Sequence, residues 1–242
     1  FGYEIDPVWE AGNKNIPGIY IEFKEPWLNP KGFEQIVYDV LANTQDMNII
    51  EKPEPEDTPF YINNGTINVG NTNGKVILQT FSLESLVRVA EVFQGKVPMC
   101  FLLWKGTGAT DLTYDDPLGY ASFINLGVKY KAHFIGPCIA GAPNDYPELD
   151  QPWQDYLIHR AKMKNHPYTF DTYDQMAKYF GQYNFGVADG MFNPPYLDAL
   201  FTNHSDMSIN YMITHGWRKS PASQTLVDAR EVLRKLGYLD NN

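Results

Sequence analysis

The sequence predicts an α/β fold of the TIM-type (β/α)-barrel kind, with parallel strands alternating with helices, and three observations carry that reading. Short apolar runs recur along the chain, and each is followed by a segment with helical apolar spacing, the pattern of repeated βα units. No Gly-rich nucleotide loop marks a doubly wound sheet: Gly106-Thr107-Gly108 follows a strand-like run, but no third glycine comes at the required spacing. The length of 242 residues suits one large domain, since a barrel of this kind uses about 250. About six of the eight strands of such a barrel can be read, in a single domain over residues 1–242 that lacks its first strands.

The first strand is Ile19-Tyr20-Ile21-Glu22-Phe23-Lys24. Beyond the Pro26 and Pro30 breaks, Phe33, Ile36, Val37, Val40 and Leu41 fall on one face of a helix. Residues 51–74, rich in Pro, Glu, Asn and Gly, form a loop excursion, with a tight hairpin turn expected at Asn64-Gly65. Val76 to Phe81 is the second strand; Ser82 can cap the helix that carries Leu83, Leu86, Val87 and Ala90. Val97 to Leu103 is the third strand, after a Gly95 stop, and a helix runs from Pro117 to Leu126. Ala132 to Gly136 is the fourth strand, followed by a loop from Ala140 to Pro152 and a helix from Trp153 to Lys162.

His166-Pro167-Tyr168-Thr169-Phe170 reads as a short fifth strand interrupted by proline. Thr172 and Gln175 have capping-box spacing before a helix with Met176, Tyr179 and Phe180. Leu197 to Thr202 is the sixth strand, and a last helix is expected from Ser220-Pro221 to Gly237.

Composition limits the partners. A formal net charge of −10 argues against nucleic acid, whose binders gather Lys and Arg, yet leaves small anionic ligands open at a local positive site. No run of roughly 18 apolar residues spans a membrane. Cys100 and Cys138 are read as two buried thiols, with a bridge between neighbouring strands as the alternative. Asn64-Gly65-Thr66 and Asn203-His204-Ser205 are sequons, which with the absent leader tilt the expected location toward export.

In a barrel the functional groups sit at the C-terminal strand ends. Glu22 and Lys24 alternate with Ile21 and Phe23, so they share one side of the first strand. They are either an interior pair at the mouth or a surface salt bridge of little consequence. Gln79 and Phe81 end the second strand, Trp104 and Lys105 the third, Tyr168 and Phe170 the fifth. One amide among converging aromatics suits a pocket for a small polar ligand with an apolar rim. The five histidines show no helical pairing that would make a zinc site, and His166 is read as a hydrogen-bonded structural residue.

These strand ends resemble those of the glycerophosphodiester phosphodiesterase family. Ile19 to Lys24 is similar to that family's apolar run ending in Glu-x-Lys, and Val76 to Phe81 to its Gln-Ser-Phe strand. His166 to Phe170 is similar to its Trp-Thr strand, with Tyr168 in place of Trp, and Asp198 to Asn203 to its closing Thr-Asp element. The resemblance implies a metal-dependent hydrolase that converts a glycerophosphodiester to glycerol 3-phosphate and an alcohol. Carried over by position, Glu22 is one ligand of a Mg²⁺ or Ca²⁺ ion and Lys24 contacts the phosphoryl oxygens. Gln79, Phe81 and Tyr168 shape the substrate pocket.

The family's opening His-Arg-Gly strand, its Glu-x-Asp and its His-Asp pair have no counterpart in these residues. The resemblance therefore implies that the catalytic histidines and first strands come from an upstream segment or a second chain. Two other functions fit the same elements: a catalytically silent relative that binds a phosphorylated or polyol ligand, and a phospholipase D-like enzyme acting on lipid headgroups.

Overall fold

The computed structural model describes residues 19–25, 28–43, 76–104, 114–183, 197–215 and 234. The chain divides into two compact units, Phe1–His204 and Ser205–Asn242. In the first unit the described elements run in order: β1 (Ile19–Glu22), α1 (Phe33–Asn43), β2 (Val76–Thr80), α2 (Leu83–Phe93), β3 (Met99–Leu103), α3 (Pro117–Lys129), β4 (Phe134–Pro137), α4 (Pro152–Arg160), β5 (Lys164–Asn165) and the short α5 (Tyr173–Met176). The α5 turn passes directly into a π-helical turn, Ala177–Gly181. In the second unit the described helix is α6 (Ser205–Thr214), which the sequence pattern did not announce. The excursion at 51–74, the Asn64 hairpin, Lys105 and the helix expected from Ser220 lie outside the described residues.

All four strand pairings are parallel, and the sheet order is β1-β2-β3-β4-β5. A doubly wound sheet reverses its order at a switch point. This one advances in chain order, the winding of a (β/α) barrel. The sheet is also curled. Tyr20 of β1 lies 3.1 Å through its hydroxyl from His166 Nδ1, just past β5, and its ring meets Phe201 edge-on at 4.8 Å. Side chains from the two ends of the strand order thus touch across the concave face.

Local capping sets where the helices begin. Ser82 accepts from Ser85 N, Asp116 from Leu118 N and Gly119 N, and Gln151–Gln154 and Thr172–Gln175 each form a capping box. Pro117 and Pro152 take first-turn positions, where the missing N–H costs nothing. The α2 helix ends through Gln94 and Gly95, both at positive φ.

Alternation along the strands separates two apolar layers. Met99, Phe101 and Leu103 of β3 join Val76, Leu78, Ile135 and the helices in the larger core. Cys100 and Leu102 point the other way, with Phe134, Tyr20, Ile77, Phe81 and Tyr168, into the concave interior. Both cysteines are free and buried, and burial pushes each thiol up to about 12.

Two strand readings need correction. The fifth strand is not His166–Phe170: the regular pairing stops at Asn165, and Tyr168 keeps a single bridge to Cys138. Single bonds carry the chain on along β4, His166 N to Ile135 O at 2.9 Å, Tyr168 N to Pro137 O at 3.0 Å and Ile139 N to Tyr168 O at 2.8 Å, and the donor missing between them is that of Pro137, which has no N–H to give. The sixth run, Leu197–Thr202, is an extended segment beside that break rather than a ladder strand. It is held by Phe201 N to Pro167 O at 3.0 Å and Phe170 N to Phe201 O at 2.8 Å. Five regular strands, not six, are therefore present among the described residues.

The interior is tight at β4. A Cβ on Gly136 would stand 2.6 Å from Leu102 Cδ2, 2.9 Å from Cys100 Sγ and 3.1 Å from the His166 carbonyl oxygen. The last is backbone and cannot swing aside. Gly136→Ala is expected to cost about 1–3 kcal/mol of stability, the range for overpacking, measurable as a lower urea midpoint. An unchanged midpoint would mean that the interior is looser than these distances indicate.

Candidate functional site

The concave face opens at the C-terminal strand ends into a cavity of about 390 Å³. Its described lining is Glu22 and Lys24 from the end of β1, Gln79 and Phe81 from β2, Leu102 from β3, Tyr168 and Thr169 beyond β5, and Phe201, Thr202 and Asn203 from the closing segment. All five residues singled out from sequence, Glu22, Lys24, Gln79, Phe81 and Tyr168, thus border one space.

The backbone puts them there. Glu22 pairs with Gln79 across the β1–β2 register, and Phe23 N bonds Gln79 O at 2.8 Å. Phe23 is buried on the helix side, so alternation turns Glu22 and Lys24 to the concave side. Thr80 Oγ1 donates to Phe23 O at 3.0 Å, and Asn29 Nδ2 to Lys24 O at 3.0 Å, fixing the chain where it leaves β1.

The two charges sit differently. The Lys24 ammonium lies 3.8 Å from Glu22 Oε2, with the lysine side chain 72% exposed and the glutamate 22%. Lysine is therefore at the rim and glutamate further in. Glu22 Oε1 is buried without a hydrogen-bond partner. Burial raises the Glu22 carboxyl above its ordinary pKa, and Lys24 only partly offsets this. A buried carboxylate oxygen with an open acceptor position is a costly thing to keep unless a ligand uses it.

The aromatic wall is rigid. Tyr168 donates its hydroxyl to Leu103 O at 3.0 Å, and Phe81 packs edge-on against its ring at 5.7 Å. Other expected strand-end groups fall elsewhere. Phe170 is fully buried against Tyr179 and Phe180, and Trp104 lies 42% exposed beside Tyr146, outside the cavity lining. His166 stacks on Phe134 at 4.1 Å beneath the mouth; burial lowers it to about 4, so it is neutral at pH 7.

Thr169, Thr202 and Asn203 were not read from sequence as lining residues. Their signal was available in position alone, since each stands at the C-terminal end of an extended run. Asn203 also belongs to the second sequon. Its Nδ2, the atom that a glycan would occupy, donates to Asp171 Oδ2 at 2.9 Å.

A divalent ion needs several oxygen donors, six to eight for Ca²⁺. Glu22 is the sole carboxylate among the described lining residues, and an ammonium stands beside it. Among the described residues no group of three His, Cys, Asp or Glu side chains could hold a metal. These residues do not by themselves make a Mg²⁺ or Ca²⁺ site, and the chemistry of the mouth is built from Glu22, Lys24, the amides and the hydroxyls.

The fold and cavity define a parallel α/β protein of the (β/α)-barrel type with a polar mouth. Among solved structures it is similar to a Silicibacter pomeroyi DSS-3 protein assigned as a glycerophosphoryl diester phosphodiesterase, at 12% identity and a TM-score of 0.41. That alignment covers 61% of this chain and 41% of the other, so the chain spans less than half of that structure's length. No protein-family model matches the sequence, and no curated protein matches it either. No helix among the described residues is long and apolar enough to cross a membrane.

Proposed function

We propose that this chain forms the substrate mouth of a phosphoric diester hydrolase that takes a glycerophosphodiester and yields glycerol 3-phosphate and an alcohol. One observation carries the reading: Glu22, Lys24, Gln79, Phe81 and Tyr168, which come from three separate stretches of sequence, line one cavity at the strand ends. Lys24 at the rim attracts the phosphoryl oxygens and offsets the negative charge that grows on them as the bond to the alcohol breaks. Gln79 offers both a donor and an acceptor to a polyol. Phe81 and Tyr168 give the carbon skeleton an apolar wall.

Hydrolysis also needs an acid and a base, each contributing about 10²–10⁴-fold. Glu22 is the one carboxyl among the described lining residues, so a second reading has specific support: binding of a phosphorylated polyol without turnover. Its basis is Glu22 facing only Lys24, with no second carboxylate beside it among those residues.

Release of glycerol 3-phosphate from a glycerophosphodiester, with Mg²⁺, with Ca²⁺ and with chelator, separates the two. The hydrolase reading expects release that Glu22→Gln abolishes while thermal stability is kept. Stability should even rise slightly at neutral pH. The folded carboxyl has a raised pKa, so its contribution is lost as pH rises through that value, and ionised Glu22 burdens the fold. Saturable binding with no release supports the silent reading. Neither binding nor release contradicts both.

A further inference from the structure

The cavity contains a hydrogen-bonding group whose orientation is set by a neighbour outside it. Asn203 lines the cavity on the closing segment. Asp171, beyond the β5 continuation, grips it twice: Asn203 N donates to Asp171 Oδ1 at 2.8 Å, and Asn203 Nδ2 to Asp171 Oδ2 at 2.9 Å. Asp171 is anchored in turn, because its own N–H donates to Gln175 Oε1 at 2.7 Å. Gln175 is buried, closes the Thr172 capping box and donates through Nε2 to Gly141 O at 2.8 Å. On the other side of Asn203, Thr202 Oγ1 accepts from His204 N at 2.8 Å and closes the turn.

An ionised carboxylate only accepts hydrogen bonds. Asp171 therefore holds the amide nitrogen of Asn203 toward itself and forbids the flipped amide, which would bring oxygen against oxygen. The carbonyl Oδ1 is the atom of that amide which Asp171 does not engage. Asn203 and Glu22 both line the cavity, and their side-chain oxygens are acceptors, well matched to ligand hydroxyls and poorly matched to bare phosphoryl oxygens. The cation, Lys24, stands at the rim instead.

We propose that Asn203 is a specificity-determining residue that reads a hydroxyl of the ligand's polyol part, and that Asp171 is the positioning residue that fixes its amide. The proposal rests on the phosphodiester-mouth reading and deepens it: the ligand class is a phosphate carrying free vicinal hydroxyls, not phosphate alone. Lys24 meets the phosphoryl group, while Asn203 and Glu22 meet the hydroxyl end.

Calorimetric titration of the 242-residue chain with glycerol 3-phosphate and, separately, with inorganic phosphate tests this. Asn203→Ala should weaken glycerol 3-phosphate by about tenfold, the size of one lost hydrogen bond, and change inorganic phosphate less than about twofold. Asp171→Ala should shift the same ratio in the same direction, and Asp171→Glu should recover part of it, which a merely structural role would not do. Thermal melts of each variant identify any that fail to fold, and Asn203→Ser, at an exposed position, is the substitute in that case. If the wild type binds both ligands and no variant changes their ratio, the assignment of Asn203 and Asp171 is wrong while the mouth stands. If the wild type binds neither ligand, the mouth reading falls and the assignment falls with it.

Discussion

His159→Ala is expected to destabilise the fold by about 3–5 kcal/mol, the cost of leaving the fully buried Asp155 carboxylate without its half-buried ion partner. The imidazole sits at the N-terminal end of the strands, away from the mouth. Its Nδ1 lies 3.1 Å from Asp155 Oδ2 and its Nε2 2.8 Å from Asp198 Oδ2. Asp155 and Asp150 are both fully buried, and Asn165 Nδ2 donates to one oxygen of each at 2.8 Å. Burial raises both carboxyls, and each raises the proton affinity of its neighbours.

Burial would disfavour a cation at position 159, but the carboxylates of Asp155 and Asp198, the second hydrogen-bonded to Nε2, overcome it and lift the imidazole to about 10. For Asp198, burial is likewise outweighed by His159, the Asn165 N–H and Lys164, which hold it down to about 2. Alanine would strand the Asp155 carboxylate. The pH dependence follows from the signs. The histidine's folded pKa is raised, so its contribution is complete below about pH 6.5 and is lost as pH rises through about 10. Asp198 is depressed, so its contribution is present above its ordinary value and is lost as pH falls through about 2. Urea unfolding of wild type and variant at pH 6 and pH 10 measures the histidine's contribution, and unfolding at pH 2 against pH 6 measures that of Asp198. A loss under about 1 kcal/mol at pH 6 would make this an ordinary surface pair.

Lys24→Ala should cut affinity for glycerol 3-phosphate about tenfold at low ionic strength, with a smaller loss at high salt. The lysine is 72% exposed, so its attraction to phosphate is screened by solvent and ions, unlike that of an enclosed cation. Lys24→Arg should retain most of the binding, since charge rather than shape carries the contact. Removing the lysine also strips Glu22 of its ion partner among the described residues, so its carboxyl should take up a proton at still higher pH. An affinity independent of both charge and salt would remove Lys24 from the ligand's surroundings.

Much of the architecture was legible because period carries it. The short apolar runs at Ile19, Val76, Met99 and Phe134 take turns with helical stripes, and their registers follow chain order, so the parallel sheet could be read from spacing. The interruption opposite Pro137 and the closing segment were less legible. A proline marks where a ladder stops but not what lies alongside. The α1 stripe was only half right: Leu41 is buried, whereas Ile36 and Val40 are more than half exposed. Periodicity names a face and cannot say how much of it is covered.

At the site, i and i+2 spacing placed Glu22 and Lys24 together, and strand-end position found Gln79, Phe81 and Tyr168. Asn203 and Asp171 escaped notice because their meaning is a contact across 32 positions in sequence. The His159–Asp155–Asp198 network escaped for the same reason: i,i+4 spacing hints at the first pair, but nothing local announces Asp198.

Amide and side-chain NMR shifts during titration with glycerol 3-phosphate test the mouth most directly. Saturable changes concentrated at Lys24, Gln79, Tyr168 and Asn203, with His159 and Asp198 still, are the expected result. Changes centred on His159 and Asp198, or none up to millimolar ligand, would contradict a phosphodiester mouth at the strand ends.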